Sequence, residues 1–281
     1  MATANAPEYA HLPPCKIVPL LADKGLYIAS ESTFYRILRA GNQLAHRQKS
    51  RPARVQSAPR ALMADAPNQI YTWDITYLPT RVRGVFYYLY LVLDIYSRKI
   101  VGWQVHHQEL SSFAADLLVD ICEREEVKPH QVTLHSDNGS PMKGATMLAT
   151  LQELGVVPSF SRPSVSNDNP YSESLFKTLK YRPEYPEDAF ADIQAARAWV
   201  TEFSTWYNHQ HLHSGIKFVT PQQRHSGEDK AILRQRDSVY RQAKNQHPER
   251  FSTSTRNWDH QTQVHLNPGK HKSEKTEKKV A

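Results

Sequence analysis

The stretch IYTWDITYL, residues 70–78, alternates between apolar and polar side chains with a period of two. Such alternation is typical of a β-strand with one face on a core. The two sets are Trp73, Ile75 and Tyr77 on one face, and Thr72, Asp74 and Thr76 on the other. Asp is disfavoured within strands. The stretch therefore predicts a strand and leaves one carboxylate, that of Asp74, to be explained by position or by function.

Two more strands are predicted directly after this one, followed by helices that alternate with short strands. The predicted strands are residues 85–94, 99–106, 132–136 and 156–160, and the predicted helices are residues 111–125, 143–154, 170–181 and 193–207. Three consecutive strands with tight connections indicate an antiparallel meander. The whole order predicts an α/β fold of the RNase H-like class, with a mixed five-stranded sheet and flanking helices.

The chain before this core is predicted to form a small helical region, residues 1–46. A short helical pattern is followed by Gly25, and a second one begins after a possible cap between Ser30 and Ser32. Two short helices joined by a turn are typical of a helix-turn-helix, in which the second helix binds DNA. Arg36 and Arg39 would then contact DNA, although any small helical hairpin has the same pattern. The apolar face of that second helix is predicted to hold Phe34, Ile37 and Leu38.

Composition and charge point to a nucleic-acid partner and no membrane. The 281 residues carry a net charge of +7, and no run of about 18 apolar residues is present. Residues 47–65 form a basic linker, residues 66–227 the core, and residues 228–281 a basic C-terminal segment with a disordered tail. Basic flanks suit proteins that hold a phosphate backbone, although a solvated linker would look the same. The candidate DNA contacts in the linker are Arg47, Lys49, Arg51 and Arg54.

Three carboxylates stand at positions that the predicted fold brings together. Asp74 lies on the first core strand, Asp137 directly follows the fourth, and Glu173 falls in the first turn of a helix that starts at Pro170. Each alone has an ordinary explanation, such as an Asp-Asn-Gly turn or a favourable helix dipole. Together they form a set of hard oxygen ligands suited to Mg²⁺ or Mn²⁺, and we expect two ions.

Lys177 and Lys180 follow Glu173 by four and seven residues, on the same face of the predicted helix. A helix with one metal ligand and two cations on one face could lie along a DNA backbone. Ordinary salt-bridge partners of the carboxylate are the alternative interpretation of these two lysines.

Four segments resemble the integrase core of bacterial insertion-sequence transposases. They are TWDITY at 72–77, LDIYSR at 93–98, HSDNG at 135–139 and NDNPYSE at 167–173. Thirty-five residues separate Asp137 from Glu173, the spacing of the Asp, Asp, thirty-five, Glu signature, and Lys180 matches its usual basic residue. Over roughly residues 15–267 the chain is similar to the B-frame product of the insertion-sequence family numbered three.

The resemblance implies a retroviral-integrase-like enzyme, a polynucleotidyl transferase and nuclease that cuts element ends and joins the freed 3′-hydroxyl to new DNA. It gives Asp74, Asp137 and Glu173 the catalytic and metal-ligand roles. It also implies three kinds of partner: double-stranded DNA at the terminal repeats and the target, a homodimer or larger synaptic assembly, and an upstream-frame protein. We expect a bacterial cytoplasmic, nucleoid-associated location.

Two other functions remain open from the sequence. One is a simple RNase H-like nuclease that hydrolyses a strand without joining it. The other is a non-catalytic DNA-binding repressor, or a truncated transposase product. Among the other polar residues, we interpret Asp94 and Asp168 as structural and His135 as a packed or hydrogen-bonded side chain. The cluster His209, His211 and His213 lacks the spacing of a helical zinc pair, so metal binding there is disfavoured.

Overall fold

The computed structural model describes residues 1–44, 61–162 and 168–267. The chain divides into two compact units, Met1–Ser57 and Ala58–Ala281, each of which has most of its residue contacts within itself. The predicted division into residues 1–46, 47–65, 66–227 and 228–281 stays a prediction. The linker residues Arg47, Lys49, Arg51 and Arg54 lie outside the described residues, as does Asn167. No helix in the described ranges is both long enough and apolar enough to cross a membrane.

The first unit contains three helices that enclose a small apolar core. They are α1 (Ala2–Asn5), α2 (Pro14–Asp23) and α3 (Glu31–Ala40). The predicted cap is confirmed at Ser30, whose side chain accepts a hydrogen bond from the Thr33 amide. Arg36 and Arg39 are exposed on α3, as the prediction requires. The predicted apolar face is wrong at Ile37, which is 39% exposed because only Phe34 and Leu38 reach the core.

The second unit is built on a five-stranded mixed sheet with helices on both faces. Its elements are β1 (Leu62–Ala64), β2 (Ile70–Pro79), β3 (Phe86–Asp94), β4 (Ile100–His106), α4 (Ser111–Arg124), β5 (Thr133–Ser136), α5 (Ser140–Lys143), α6 (Ala145–Leu154), β6 (Val157–Phe160), α7 (Pro170–Lys180), α8 (Ile193–His209), α9 (Pro221–His225), α10 (Asp229–Gln246) and β7 (Val264–Leu266). The strand order is β4-β3-β2-β5-β6. β2, β3 and β4 pair antiparallel, whereas β5 pairs parallel with both β2 and β6. This is the RNase H-like order, and the predicted fold class is confirmed.

The register between β2 and β5 sets the positions of two acidic residues along the sheet. Tyr71 pairs with Leu134, and Thr72 pairs with His135. Asp74 lies two residues beyond Thr72, and Asp137 lies two residues beyond His135. Because the strands run parallel, both carboxylates come to the same end of the sheet.

Each face of the sheet packs on its own helical layer. Trp73 belongs to the core shared with α4 and α6, and Leu91 to the core shared with α7 and α8. The predicted alternation along β2 is confirmed at Trp73, but Tyr77 is 50% exposed because it lies near the tip of the β2–β3 hairpin. The polar face is also covered, since Thr72 is fully buried beneath α7.

The helix predicted over residues 143–154 is present from Ala145 to Leu154, and Gly144 separates it from α5. Gly144 lies close to α4, since an added Cβ there would lie 2.6 Å from the Ser111 side chain. Near the C-terminus, β7 pairs antiparallel with β1 of the same chain, at Leu62↔Leu266, and buries Val264 and Leu266.

Arg224 of α9 joins the sheet to the C-terminal part of the second unit. Its fully buried guanidinium donates to the carbonyl oxygens of Tyr96 at 2.8 Å and Gln261 at 2.6 Å. It also forms an ion pair with the buried Asp229 at 3.1 Å and stacks over the Tyr96 ring at 4.2 Å. Each of the three guanidinium nitrogens of Arg224 is therefore bonded to a different segment of the chain.

We predict that Arg224→Ala lowers the free energy of unfolding of the protein by about 3–5 kcal/mol, because it leaves Asp229 as a buried charge without its partner. Urea denaturation followed by circular dichroism measures the loss. Arg234→Ala, which removes an exposed arginine of α10, is the matched control and should change stability by less than about 0.5 kcal/mol. Equal losses in the two variants would contradict the joining role of Arg224.

Candidate active site

Asp74 projects from the middle of β2 into a site that is poor in positive charge. Its carboxylate accepts a hydrogen bond from the Ile75 amide at 2.8 Å. Burial, followed by the negative charges of Asp137 and Glu173, raises the pKa of Asp74 to about 7 from the ordinary value of 3.8. The charges of Asp137 and Glu173 therefore act on Asp74, while the convergence of the three carboxylates on one metal site stays a prediction.

Asp137 begins the turn after β5, and its own side chain shapes that turn. One carboxylate oxygen accepts a hydrogen bond from the Gly139 amide at 2.9 Å, and the Asn138 amide group donates to the Ser161 carbonyl. This local bonding is the Asp-Asn-Gly turn expected from the sequence. It holds an exposed carboxylate at the end of the strand next to β2.

Glu173 lies in the first turn of α7, which is fastened directly to β2. Ser172 donates a hydrogen bond to the hydroxyl of Thr72 at 3.2 Å, and the side-chain amide of Asn169 donates to the Trp73 carbonyl at 3.4 Å. These bonds attach α7 to the residues that precede Asp74. The Glu173 side chain is exposed.

Asn169 and Ser172 are positioning residues that the sequence prediction did not identify. Asn169 holds the N-cap position of α7, but its side chain makes no cap hydrogen bond because it bonds to β2 instead. Both residues belong to the quoted motif NDNPYSE, so the motif was the available signal. What the sequence could not show is that their polar atoms point at β2.

The three carboxylates have no positive partner in the described part of the chain. None of its ion pairs involves Asp74, Asp137 or Glu173. With the side chains as they stand, no three acidic, His or Cys groups among those residues are close enough to share one metal ion. The metal-ligand roles of the three acids therefore stay predictions.

Lys177 and Lys180 are exposed on α7, and neither takes part in an ion pair within the described ranges. The Lys177 ammonium lies 6.0 Å from the centre of the Tyr181 ring. The salt-bridge alternative therefore finds no support, and contact of these lysines with DNA stays a prediction.

The remaining polar residues near the site have structural partners. Asp168 forms an ion pair with Arg162 at 2.9 Å, and this pair holds the pKa of Asp168 below its usual value. The imidazole of His135 is buried between Ser159, Ser161 and the Asp168 carbonyl, with partners 3.0 to 3.1 Å away. Burial lowers the pKa of His135. Both interpretations made from the sequence are confirmed.

Two further groups also have structural explanations. The buried Asp94 accepts hydrogen bonds from the amides of Asn68 and Ser97, as expected of a structural acid. The rings of His211 and His213 pack beside Tyr207, with ring centres 5.2 and 6.4 Å from the tyrosine ring.

Strand order and acidic residues together define an RNase H-like domain of the integrase type. Two family models described as integrase core domain match the chain, at residues 64–166 and 154–221. The chain belongs to this integrase core family. Both matched stretches fall in the second unit, and together they contain Asp74, Asp137 and Glu173.

The relatives of the chain are transposases of bacterial insertion sequences. The transposase for insertion sequence element IS904 of Lactococcus lactis is 33% identical over 160 residues, which cover 56% of this chain and 61% of that protein. Transposase InsF for insertion sequence IS3A of Escherichia coli is 31% identical over 161 residues, with 57% and 54% covered. The matched region thus spans about three fifths or less of these relatives.

Solved structures of viral integrases show partial similarity. A chain of the simian T-cell lymphotropic virus intasome superposes with a TM-score of 0.45 at 18% identity, covering 75% of this chain and 74% of its own length. The catalytic core domain of BIV integrase superposes with a TM-score of 0.44 at 18% identity, covering 59% and 98%. The fold assignment depends on the strand order given above and not on these superpositions.

We predict that the metal-free protein loses stability between pH 4 and pH 7 because Asp74 must ionise while buried. The folded pKa of about 7 lies above the ordinary value of 3.8, so the folded state binds more protons in this range and unfolding becomes easier as pH rises. In the presence of a metal chelator, the free energy of unfolding of wild type should fall by an amount on the order of 3 kcal/mol across this range, and Asp74→Asn should abolish that fall. Urea denaturation at each pH measures both.

Asp116→Asn, a change at an exposed aspartate of α4, is the control and should keep the wild-type profile. If the free energy of unfolding of wild type varied with pH in the same way as that of Asp74→Asn across this range, the raised pKa would be contradicted.

Proposed function

We propose that the chain is the catalytic part of a DNA transposase, which cleaves DNA at element ends and transfers the freed strand into target DNA with divalent metal. The observation that carries the proposal is the Asp74 carboxylate, which is half-buried and has no cation beside it among the described residues. The charges of Asp137 and Glu173 add to the effect of burial in raising its pKa. Keeping like charges together is unfavourable unless a positive ligand stabilises them. A site of this kind is suited to bind metal rather than to stabilise the fold.

The donor set fits Mg²⁺ or Mn²⁺. Asp74, Asp137 and Glu173 supply carboxylate oxygens alone, the ligands that these hard cations prefer. The charges of the three acids require a positive ion that no described residue supplies. When bound, two such ions would activate the attacking oxygen and stabilise the leaving oxygen of a phosphodiester.

The protein's own residues hold this site and orient DNA. The bonds of Asn169 and Ser172 to β2 position the helix that carries Glu173. Lys177 and Lys180 extend from the same helix into solvent, where they would pair with backbone phosphates near the reacting bond. Arg36 and Arg39, exposed on α3, are the proposed contacts of the first unit with duplex DNA.

The relatives support the partners that we propose. They are described as transposases of insertion sequences, so we propose terminal repeats and target DNA as the double-stranded substrates. We further propose a homodimer or larger synaptic assembly, an upstream-frame protein as a possible partner, and a bacterial cytoplasmic location near the nucleoid. The alternatives are a nuclease without joining activity and a repressor that binds without chemistry.

Binding of Mn²⁺ tests the metal site separately from DNA. We predict that calorimetric titration of wild-type protein at pH 7.5 gives saturable binding, and that Asp74→Asn weakens it by roughly tenfold or more because one anionic ligand is lost. Asp116→Asn serves again as the control and should bind as the wild type does. Unchanged binding by Asp74→Asn would remove that residue from the proposed ligand set.

Strand transfer tests the function itself. With Mg²⁺ or Mn²⁺, labelled element-end DNA and a plasmid target, we predict joined product from wild type and a loss of about 10³-fold for Glu173→Gln. A loss of that size follows if one metal ligand supports several kcal/mol of transition-state stabilisation. Glu153→Gln, at an exposed glutamate of α6, is the control and should keep full activity.

Each outcome of this assay separates the candidate functions. Nicking without joined product would favour the simple nuclease. Tight DNA binding with no chemistry in any variant would overturn the catalytic proposal and favour the repressor.

A further inference from the structure

Arg98 occupies an unusual position in the turn between β3 and β4. The residue is buried, with only 7% of its surface exposed. Its φ angle is +67°, in the left-handed region that L residues other than Asn and Asp seldom adopt. The Arg98 amide donates to the Asp94 carbonyl at 2.8 Å, which holds this backbone conformation in place. The guanidinium is thus directed inward by a fixed turn.

The buried guanidinium of Arg98 lacks the partners that such a group requires. Its Nε and Nη1 atoms are shielded from solvent and have no hydrogen-bond partner among the described residues. No ion pair of the described residues involves it, and its clear favourable contact is stacking over the Tyr171 ring at 4.0 Å. Arg224, in contrast, satisfies its arms with two carbonyls and a carboxylate. Arginine stays charged in proteins, so an unpaired buried guanidinium strongly favours an incoming anion.

A cavity of about 240 Å³ lies beside this guanidinium and can admit such an anion. Ser174 and Thr178 of α7, one turn apart, line it together with Tyr207 and His213. Glu173 precedes Ser174 by one residue, and each residue of a helix turns by about 100°. The cavity therefore lies on a side of α7 that differs from the side carrying the three carboxylates.

His213 adds a neutral donor to this cavity. Its Nδ1 atom accepts a hydrogen bond from the Gly215 amide at 3.0 Å, so the neutral ring carries its proton on Nε2. Burial, followed by the charge of Arg98, lowers the pKa of His213 to about 4, which keeps the ring neutral at pH 7. Within the described ranges, no acidic side chain lines the cavity. Its polar lining is therefore complementary to an anion and not to a cation.

We propose that this cavity is a binding site for a phosphate-type oxyanion, which the positive charge of Arg98 attracts and which Ser174 and Thr178 border. Phosphate is a favoured counter-ion of guanidinium groups. The oxyanion is either free phosphate or a phosphodiester of a bound nucleic-acid strand. The site needs neither metal nor Asp74, Asp137 and Glu173, so it does not depend on the proposed transposase activity.

Thermal unfolding of the full chain in chelator tests the site with inorganic phosphate as the probe, against chloride at equal ionic strength. We expect a saturable rise in the wild-type midpoint, roughly 3–6 °C at ten times the Kd. Arg98→Met should lose that rise, and without phosphate it should unfold no earlier than wild type, because an unpaired buried charge is removed. Ser174→Leu, which fills the cavity from an exposed helix position, should lose the rise while keeping Arg98.

Two controls isolate the effect. Arg234→Met removes an exposed arginine of α10 and should keep the full rise, and so should Glu173→Gln, which alters only the carboxylate site. An equal rise in the unfolding midpoint of wild type and Arg98→Met would overturn the proposal. So would a wild-type midpoint that does not respond to phosphate, combined with a duplex affinity that Arg98→Met leaves unchanged.

Binding of a 20-base-pair duplex, measured by fluorescence anisotropy in chelator, separates the two sources of the oxyanion. A several-fold loss of duplex affinity in Arg98→Met, together with competition by free phosphate in wild type, assigns the site to a DNA phosphodiester. Unchanged duplex affinity with a lost phosphate response assigns it to free phosphate.

Discussion

The parallel pairing of β2 with β5 is the constraint on which the carboxylate site depends. Because side chains alternate along a strand, a shift of one residue would turn Asp74 to the opposite face of the sheet. The observed register, with Thr72 opposite His135, avoids this and brings Asp74 level with Asp137. The hydrogen bonds of Asn169 and Ser172 to β2 then add Glu173 to the same end. Packing on both faces of β2 is what keeps the register fixed.

Charge is distributed unevenly between two sides of α7. On one side, Asp74 has no cation among the described residues, and burial together with the charges of Asp137 and Glu173 raises its pKa. On another side, the guanidinium of Arg98 is buried without an anion among the described residues. Each arrangement is unfavourable for the isolated protein and becomes favourable only with a ligand of opposite charge. A structural ion such as Arg224 shows how the same fold satisfies a buried charge when no ligand is required.

Much of this fold could be predicted from the sequence, because strand alternation and helical periodicity are local properties. The order of elements, the cap at Ser30 and the structural roles of Asp168 and His135 all followed from local patterns. Long-range features did not. The need for glycine at position 144 depends on the approach of Ser111, and the pairing of β1 with β7 joins segments that are distant in the chain. The unpaired state of Arg98 likewise depends on what the fold fails to place beside it.

The pairing of β1 with β7 also has a consequence for the order of events during synthesis. β7 contributes the carbonyl of His265 that accepts from the Tyr171 hydroxyl at 2.7 Å, and Asn267 donates to the Asp168 carbonyl at 3.0 Å. Both bonds hold the start of α7, yet their partners are translated almost a hundred residues after it. While a ribosome still makes that intervening stretch, the helix carrying Glu173 lacks these two anchors. Because a domain folds as a unit, the start of this helix gains both anchors only after β7 and Asn267 have emerged.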